Sequence, residues 1–274
     1  MHTDLLTRLG DAVAGRYLIE EEIGRGGAAT VYRAEDLKHG RRVAIKALRP
    51  ESSFGHYEPQ RFLREIRIAA GLTHPRILPL HDSGECDGLL YFVMPYMEGE
   101  TLRDCLRREG PLTIDVALRI TRAVAAALAY AHRNNVIHRD IKPENILLQE
   151  GEAVVADFGV ATAICAASSE SPYVTDRGLA VGTPAYMSPE QASAESGLDG
   201  RTDQYSLACV LYEMLAGEPP FAGTGPRETM ARHAIETPVS VRVRRPNVPE
   251  AMDWALARAL AKEQIGRASC RERV

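Results

Sequence analysis

Between His138 and Asn145 the chain reads HRDIKPEN, which crowds Asp140, Lys142 and Asn145 around a proline that stiffens the loop. A surface loop rarely packs an acid, an amine and an amide so densely without a use for them. Asp157 follows in VVADFG, a strand-like run that ends on an acid. An amide oxygen and a carboxylate are hard donors of the kind that suit Mg²⁺. Upstream, IGRGGAATV spans residues 23–31. Glycine lets backbone N–H groups approach a phosphate closely, because no Cβ intervenes. Taken alone the run reads equally as a β-hairpin, and it lacks both the GK[ST] ending of a Walker loop and the following apolar helix of a dinucleotide unit. The strand-like VAIK ends on Lys46, a point charge for phosphate oxygens if it faces that loop. Such a lysine needs a carboxylate to hold it, and Glu65 on the next predicted helix is the candidate.

These residues must be positioned by the elements around them. With 274 residues, 45% of them hydrophobic and 26% charged, the chain can bury a sizeable core. Its net charge of −4 argues against general nucleic-acid binding, which needs clustered Lys and Arg. No apolar run approaches the roughly 20 residues that span a bilayer, and residues 1–15 lack the apolar core of a signal peptide. Five scattered cysteines without a CxxC fit a reducing cytosol. Residues 1–15 read as a helical lead-in, and Tyr17 to Leu48 as β-rich. The run from Pro59 to Leu72 reads as an amphipathic helix with Phe62, Ile66, Ala69 and Ala70 on one face. RILPLHDSGE and LLYFVMPYM read as two further strands. After MEGET the character changes, with helices expected over 113–134, 203–216 and 249–263, the last with Met252, Leu256, Ala259 and Leu260 on one face. Residues 163–181 are small and polar, and read as a mobile loop. Strands first and helices afterwards predict an α+β chain of two lobes.

Taken together and in order, these motifs resemble the protein kinase family over about residues 16–263. GTPAYMSPEQ stands in for the APE segment, and DGRTDQYSLACVLYEMLAGEPPF for the central helix of the large lobe. Within that family the wording of GRGGAAT, HPRILPLHDSGE and SPEQA is similar to the bacterial Hanks-type (eukaryotic-like) Ser/Thr kinases. The resemblance implies a bilobal fold: a lead-in (1–15), an antiparallel β-sheet N-lobe with one helix (16–94), a hinge (95–99) and a mostly helical C-lobe (100–263). It implies that ATP is held by Ile23, Gly24, Gly26, Gly27, Val31, Ala44, Lys46, Met94, Pro95 and Met97. Met94 would be the gatekeeper, and Pro95 and Met97 the hinge contacts. Lys46 would pair with Glu65, and Asp140 would orient the acceptor hydroxyl and take its proton. Lys142 would neutralise the moving phosphoryl group, while Asn145 and Asp157 would hold Mg²⁺, with Mn²⁺ as a substitute. Asp203, His138 and Phe158 would be structural. Lys142 and Thr183 match the Ser/Thr pattern rather than the tyrosine one. Arg139 marks enzymes ordered by activation-segment phosphate, for which Thr175 matches the acceptor. The implied partners are proteins carrying Ser or Thr, and a dimer of kinase domains is compatible with the family. No nucleic acid or membrane contact is expected of this stretch, which would be cytoplasmic.

Two residues depart from the pattern. Ala29 replaces the third loop glycine and is tolerable only if its φ is negative. Pro95 replaces the usual hinge glutamate, losing an N–H but keeping the carbonyl that adenine contacts use. Two rival readings have discriminators. A pseudokinase scaffold would need a broken Lys46, Asp140 or Asp157, and a small-molecule phosphotransferase would lack GTPAYMSPE; all of these are intact.

The end of the chain, QIGRASCRERV, departs from the family altogether. IGRASCRERV can be encoded by ATC GGA AGA GCG TCG TGT AGG GAA AGA GTG, which resembles a sequencing adapter read as codons. Residues 264–274 are therefore expected to be artefact. A membrane anchor or sensor domain in a longer gene would be consistent with that. Arg267 falls at the spacing of the family's arginine partner for Glu190, a coincidence on this reading.

Overall fold

The computed structural model describes residues 2–26, 29–48, 59–86, 88–160, 184–195 and 197–267. The N-lobe is an antiparallel sheet of β1 (Tyr17–Arg25), β2 (Ala29–Asp36), β3 (Arg41–Leu48), β4 (Asp82–Cys86) and β5 (Leu89–Pro95), ordered β1-β2-β3-β5-β4. Side chains alternate across a strand, so this sheet has two chemically distinct faces. Val43, Ile45 and Ala47 of β3, with Leu89 and Val93 of β5, pack beneath α1 (His2–Val13), which contributes Leu9 and Val13. Ala44 and Leu48, with Leu90, Phe92 and Met94, face the other way and pack with Phe62 and Ile66 of α2 (Pro59–Ala70). Lys46 shares the second face by the same alternation. The lead-in helix is thus part of the N-lobe core.

The hinge leads into a short strand β6 (Glu100–Thr101), which pairs with β7 (Ile146–Gln149), itself paired with β8 (Glu152–Val155). Gly99 permits this approach: a Cβ there would sit 2.2 Å from the Leu148 carbonyl oxygen. The C-lobe helices are α3 (Leu102–Glu109), α4 (Ile114–Arg133), α5 (Pro189–Ala192), α6 (Gly200–Ala216), α7 (Pro226–Ile235), α8 (Val241–Arg244) and α9 (Glu250–Ala259). Thr113 caps α4, and Gly217 ends α6 in the left-handed region at φ 87°. The α6 helix is buried nearly all round, including Asp203 and Glu213, and forms the axis of the lobe.

Several expected boundaries move. Ala70 is exposed while Phe62, Ile66 and Ala69 are buried, because the helix ends at Ala70 and Leu72 takes the next inward position from a loop. Of the RILPLHDSGE run (76–85) only 82–85 is strand, within β4; Ile77 makes an isolated bridge to Val155. The central helix begins at Gly200, where Asp199 supplies a cap that the apolar pattern does not register. The last helix stops at Ala259 rather than 263. The loop expected over 163–181 lies outside the described residues.

Candidate active site

The loop between α4 and β7 is held from below by one buried carboxylate. Asp203 accepts from the backbone N–H of His138 and of Arg139, both at 2.8 Å, and lies 2.7 Å from His132 Nε2. Carboxylate acceptors make strong bonds to amides in a dry interior. Arg139 sits at φ 67°, a left-handed conformation that a non-glycine residue holds only when its surroundings enforce it. Here those bonds do so, with Gln191 Nε2 donating to the Arg139 carbonyl at 2.8 Å. His138 is fully buried. Its Nδ1 accepts from the Asp140 N–H and its Nε2 donates to the Ala156 carbonyl, which sets the tautomer. Phe158 packs edge-on to it at 4.6 Å between centroids.

On this platform Lys142 Nζ donates to Asp140 Oδ2 at 2.7 Å. Asn145 Nδ2 donates to the Asp140 carbonyl and Oδ2 at 2.8 and 3.1 Å. Burial works against the Lys142 charge, but Asp140, Glu144 and Asp157 outweigh it and raise its pKa. Because the Asn145 amide nitrogen is turned to Asp140, its oxygen is left as the acceptor of that side chain. Asp157, at φ 64°, enters from the end of β8 and pairs with Lys46 from the N-lobe. Burial pushes the Asp157 carboxyl up, but the Lys46 ammonium, with His138 and Lys142 behind it, holds it below the usual carboxylate range. The residues expected to do the chemistry, Lys46, Asp140, Lys142, Asn145 and Asp157, thus stand together. A carboxylate and an amide oxygen make a donor set that fits a hard divalent cation.

Among the described residues the expected Lys46–Glu65 pair is not formed. Lys46 pairs with Asp157, and Glu65 lies 4.0 Å from Arg64. The physical reason is burial: the Asp157 side chain is 11% exposed against 23% for Glu65, which lies on the flank of α2 beside the inward Ile66. Gly159 approaches the same helix, and a Cβ there would meet Ala69 Cβ at 2.6 Å.

Above these groups lies an apolar slot. Ala44 pairs in register with Met94, and Val31 with both Gly24 and Lys46. Met97 and Leu147 pack onto the same cluster as Ala44 and Met94. Leu147 comes from the C-lobe side of the slot, and nothing in its local sequence marks it out. Pro95 pairs in register with Val43 at the hinge. Ile23 is exposed, Gly26 N–H bonds the Ala29 carbonyl at 2.9 Å, and Ala29 is not among the residues with positive φ, as its substitution requires. Gly27, Thr175 and Thr183 lie outside the described residues. Arg139 Nε is buried without a hydrogen-bond partner, as a side chain kept for an anion would be.

Two buried networks brace the site, the first without any signal in the motifs and the second at a spacing the sequence showed but read as coincidence. Arg103 of α3 bonds Glu144 Oε1 at 2.9 Å, Glu213 Oε1 at 2.6 Å and the Tyr186 hydroxyl, tying the loop to α6. Glu190 is gripped bidentately by Arg267 at 2.8 and 3.1 Å and accepts from the Thr202 hydroxyl at 2.8 Å. Arg267 is 3% exposed and also donates to the carbonyls of Ala261 and Lys262. The arginine expected to match by coincidence therefore makes the full pair.

The protein kinase domain family matches residues 17–272. The chain is 40% identical to serine/threonine-protein kinase PknB of Mycobacterium tuberculosis (strain ATCC 25618 / H37Rv) over 260 residues, 93% of this chain and 41% of that protein. It is 40% identical to serine/threonine-protein kinase PrkC of Bacillus subtilis (strain 168) over 262 residues, 94% of this chain and 39% of that protein. The chain thus spans about two fifths of the length of these curated relatives. Its fold is similar to the crystal structure of the Mycobacterium tuberculosis PknI kinase domain, with TM-score 0.73 and 31% identity, covering 94% of this chain and 93% of that one.

Proposed function

The chain belongs to the protein kinase domain family, and from that premise we propose that it transfers the terminal phosphate of ATP to Ser and Thr hydroxyls of protein substrates. The observation that carries this reading is that two contact sets, Lys46–Asp157 and Asp140–Lys142–Asn145, stand side by side, with the Ala156 N–H bonding the Asn145 carbonyl at 2.9 Å and the Lys142 charge near enough to Asp157 to lower its pKa. The division into N-lobe (16–94), hinge (95–99) and C-lobe (100–263) follows the same reading.

Phosphoryl transfer has a loose transition state, so the protein's work is positioning and charge stabilisation. Asp140 orients the acceptor hydroxyl and receives its proton. Lys142, whose raised pKa keeps it cationic, stays beside Asp140 and offsets charge on the transferring oxygens. Lys46 holds the phosphates of ATP, with Gly24, Gly26 and Gly27 over them. Ile23, Val31, Ala44, Met94, Pro95 and Met97 line the adenine slot. A divalent cation, Mg²⁺ or Mn²⁺, held by Asn145 and Asp157, supplies neutralisation of the phosphate charge. Arg139, with its unpartnered buried Nε, receives a phosphate placed on Thr175 by autophosphorylation. Thr183 belongs to the Ser/Thr-specific segment.

The test is incubation with γ-labelled ATP, Mg²⁺ and a generic basic protein. Phosphoserine or phosphothreonine on the protein is the expected product. ATP binding without transfer, or label only on small molecules, overturns the reading. Peptide mapping that finds Thr175 unmodified while activity rises overturns the autophosphorylation site. Long-read sequencing of the source locus decides whether codons 264–274 are native.

A further inference from the structure

Beneath the turn at Pro184–Tyr186 the C-lobe buries a line of polar groups that the roles above leave unused. His233 of α7 is fully buried between the rings of Tyr205 and Phe221, at 5.6 and 4.9 Å between centroids. Its Nδ1 is 2.9 Å from the Tyr205 hydroxyl. Lys262 Nζ reaches the same hydroxyl oxygen at 3.4 Å and lies 3.8 Å above the Phe221 ring. His233 Nε2 is buried without a hydrogen bond of normal geometry; α7 packs directly on the 184–186 turn, Ala185 lies against the same core as Tyr205 and Phe221, and the Ala185 backbone works against burial by raising the His233 pKa.

Donor counting orients this line. An ammonium only donates, so the Tyr205 oxygen accepts from Lys262. The single phenolic proton then needs an acceptor in a dry site, and His233 Nδ1 is the one in reach. Burial, with the Lys262 charge beside it, pushes His233 down to about 3, so the ring is neutral and carries one proton. With Nδ1 accepting, that proton is on Nε2. A buried donor without an acceptor is costly, so a small closing movement of the turn is favoured wherever it completes the bond.

We propose that His233 is a positioning residue of the acceptor-peptide site, its buried Nε2–H acting as a latch for the Ala185 carbonyl and so fixing the turn at 184–186, with Tyr205 and Lys262 setting the tautomer. The proposal rests on the kinase reading, which makes the segment around GTPAYMSPE the floor under the acceptor peptide.

The test compares His233→Phe, which keeps ring volume but has no donor, with His233→Gln, whose amide can restore one. Both are made in the full chain. The Phe variant is expected to raise KM for a Ser/Thr peptide by about fivefold to tenfold, the worth of one hydrogen bond, while leaving KM for ATP unchanged. The Gln variant is expected to recover most of the loss. Nitrogen-15 spectra of the wild-type histidine side chains are expected to show the Nε2–H tautomer for His233, a readout that needs no variant to fold. An unchanged peptide KM in the Phe variant, equal losses in both variants, or a proton on Nδ1 overturns the latch. Wild-type protein that phosphorylates nothing overturns the kinase reading instead, and the spectrum still decides the tautomer.

Discussion

The two sides of the cleft are held in different ways. On the C-lobe side, Asp203, Gln191 and the His138–Ala156 bond tie the loop to distant parts of the chain, and Asn145 closes it on Asp140 from within. On the N-lobe side, Lys46 has its partner across the cleft in Asp157, and Glu65 remains on the flank of α2. The loop is thus braced from several elements, whereas α2, which carries Glu65, meets the Asp157–Gly159 end of the site through the close approach of its Ala69 to Gly159. On the proposed function this is a rigid acceptor side facing an adjustable phosphate side, and the contrast can be broken from either direction.

The largest effect is expected at the acceptor side. Asp140→Asn should lower kcat by about 10²–10⁴-fold with the fold intact, since it removes the proton acceptor. Lys46→Met should also cut transfer severely while leaving a folded protein. Single-turnover assays with labelled ATP measure both, and near-wild-type turnover in Asp140→Asn would sink the assignment. Next comes the buried lattice behind the loop. Arg267→Met strands the Glu190 carboxylate, and urea unfolding should show a loss of about 3–5 kcal/mol. A loss indistinguishable from that of a surface arginine would remove the Arg267–Glu190 pair from the rigid side.

The pH dependence of stability is a smaller test of the same lattice. His233 has its folded pKa depressed to about 3 against about 6.5 unfolded. The unfolded chain therefore binds the proton first, so this contribution is complete above pH 6.5 and is lost as pH falls toward 3. Between pH 7 and pH 5 the loss is about 2 kcal/mol. The difference between wild type and His233→Gln in denaturant titrations should show that slope, and parallel curves would contradict it. Asp157, also depressed, loses its contribution only lower, as pH falls below the ordinary carboxylate pKa. The smallest effect concerns the adjustable side. Glu65→Gln should slow transfer by about tenfold, roughly 1.4 kcal/mol, without moving the melting temperature, if α2 swings Glu65 onto Lys46 during turnover. Unchanged turnover would mean that Asp157 alone serves Lys46.

Much of the cleft was legible because its chemistry is local. HRDIKPEN puts Asp140, Lys142 and Asn145 on one turn, and the period-2 pattern of VAIK and LLYFVMP places Lys46, Ala44 and Met94 on one sheet face. The positive φ of Arg139 and Asp157 was not legible, since neither type announces it. Nor was the cap at Asp199, which extends α6 beyond its apolar pattern.

By itself the sequence determined the order of the elements, the faces of the strands and the candidate reacting groups, because each follows from motifs along a few residues. Tertiary structure decided that Lys46 meets Asp157, and that the Arg267–Glu190 spacing is a real contact. Lys46 is 111 residues from Asp157 and Arg267 is 77 from Glu190. At such separations the partner of a buried charge is chosen by the carboxylate that burial leaves nearest, since an unpaired ion in a dry interior costs several kcal/mol. The same rule gave Lys46 to Asp157 rather than to Glu65.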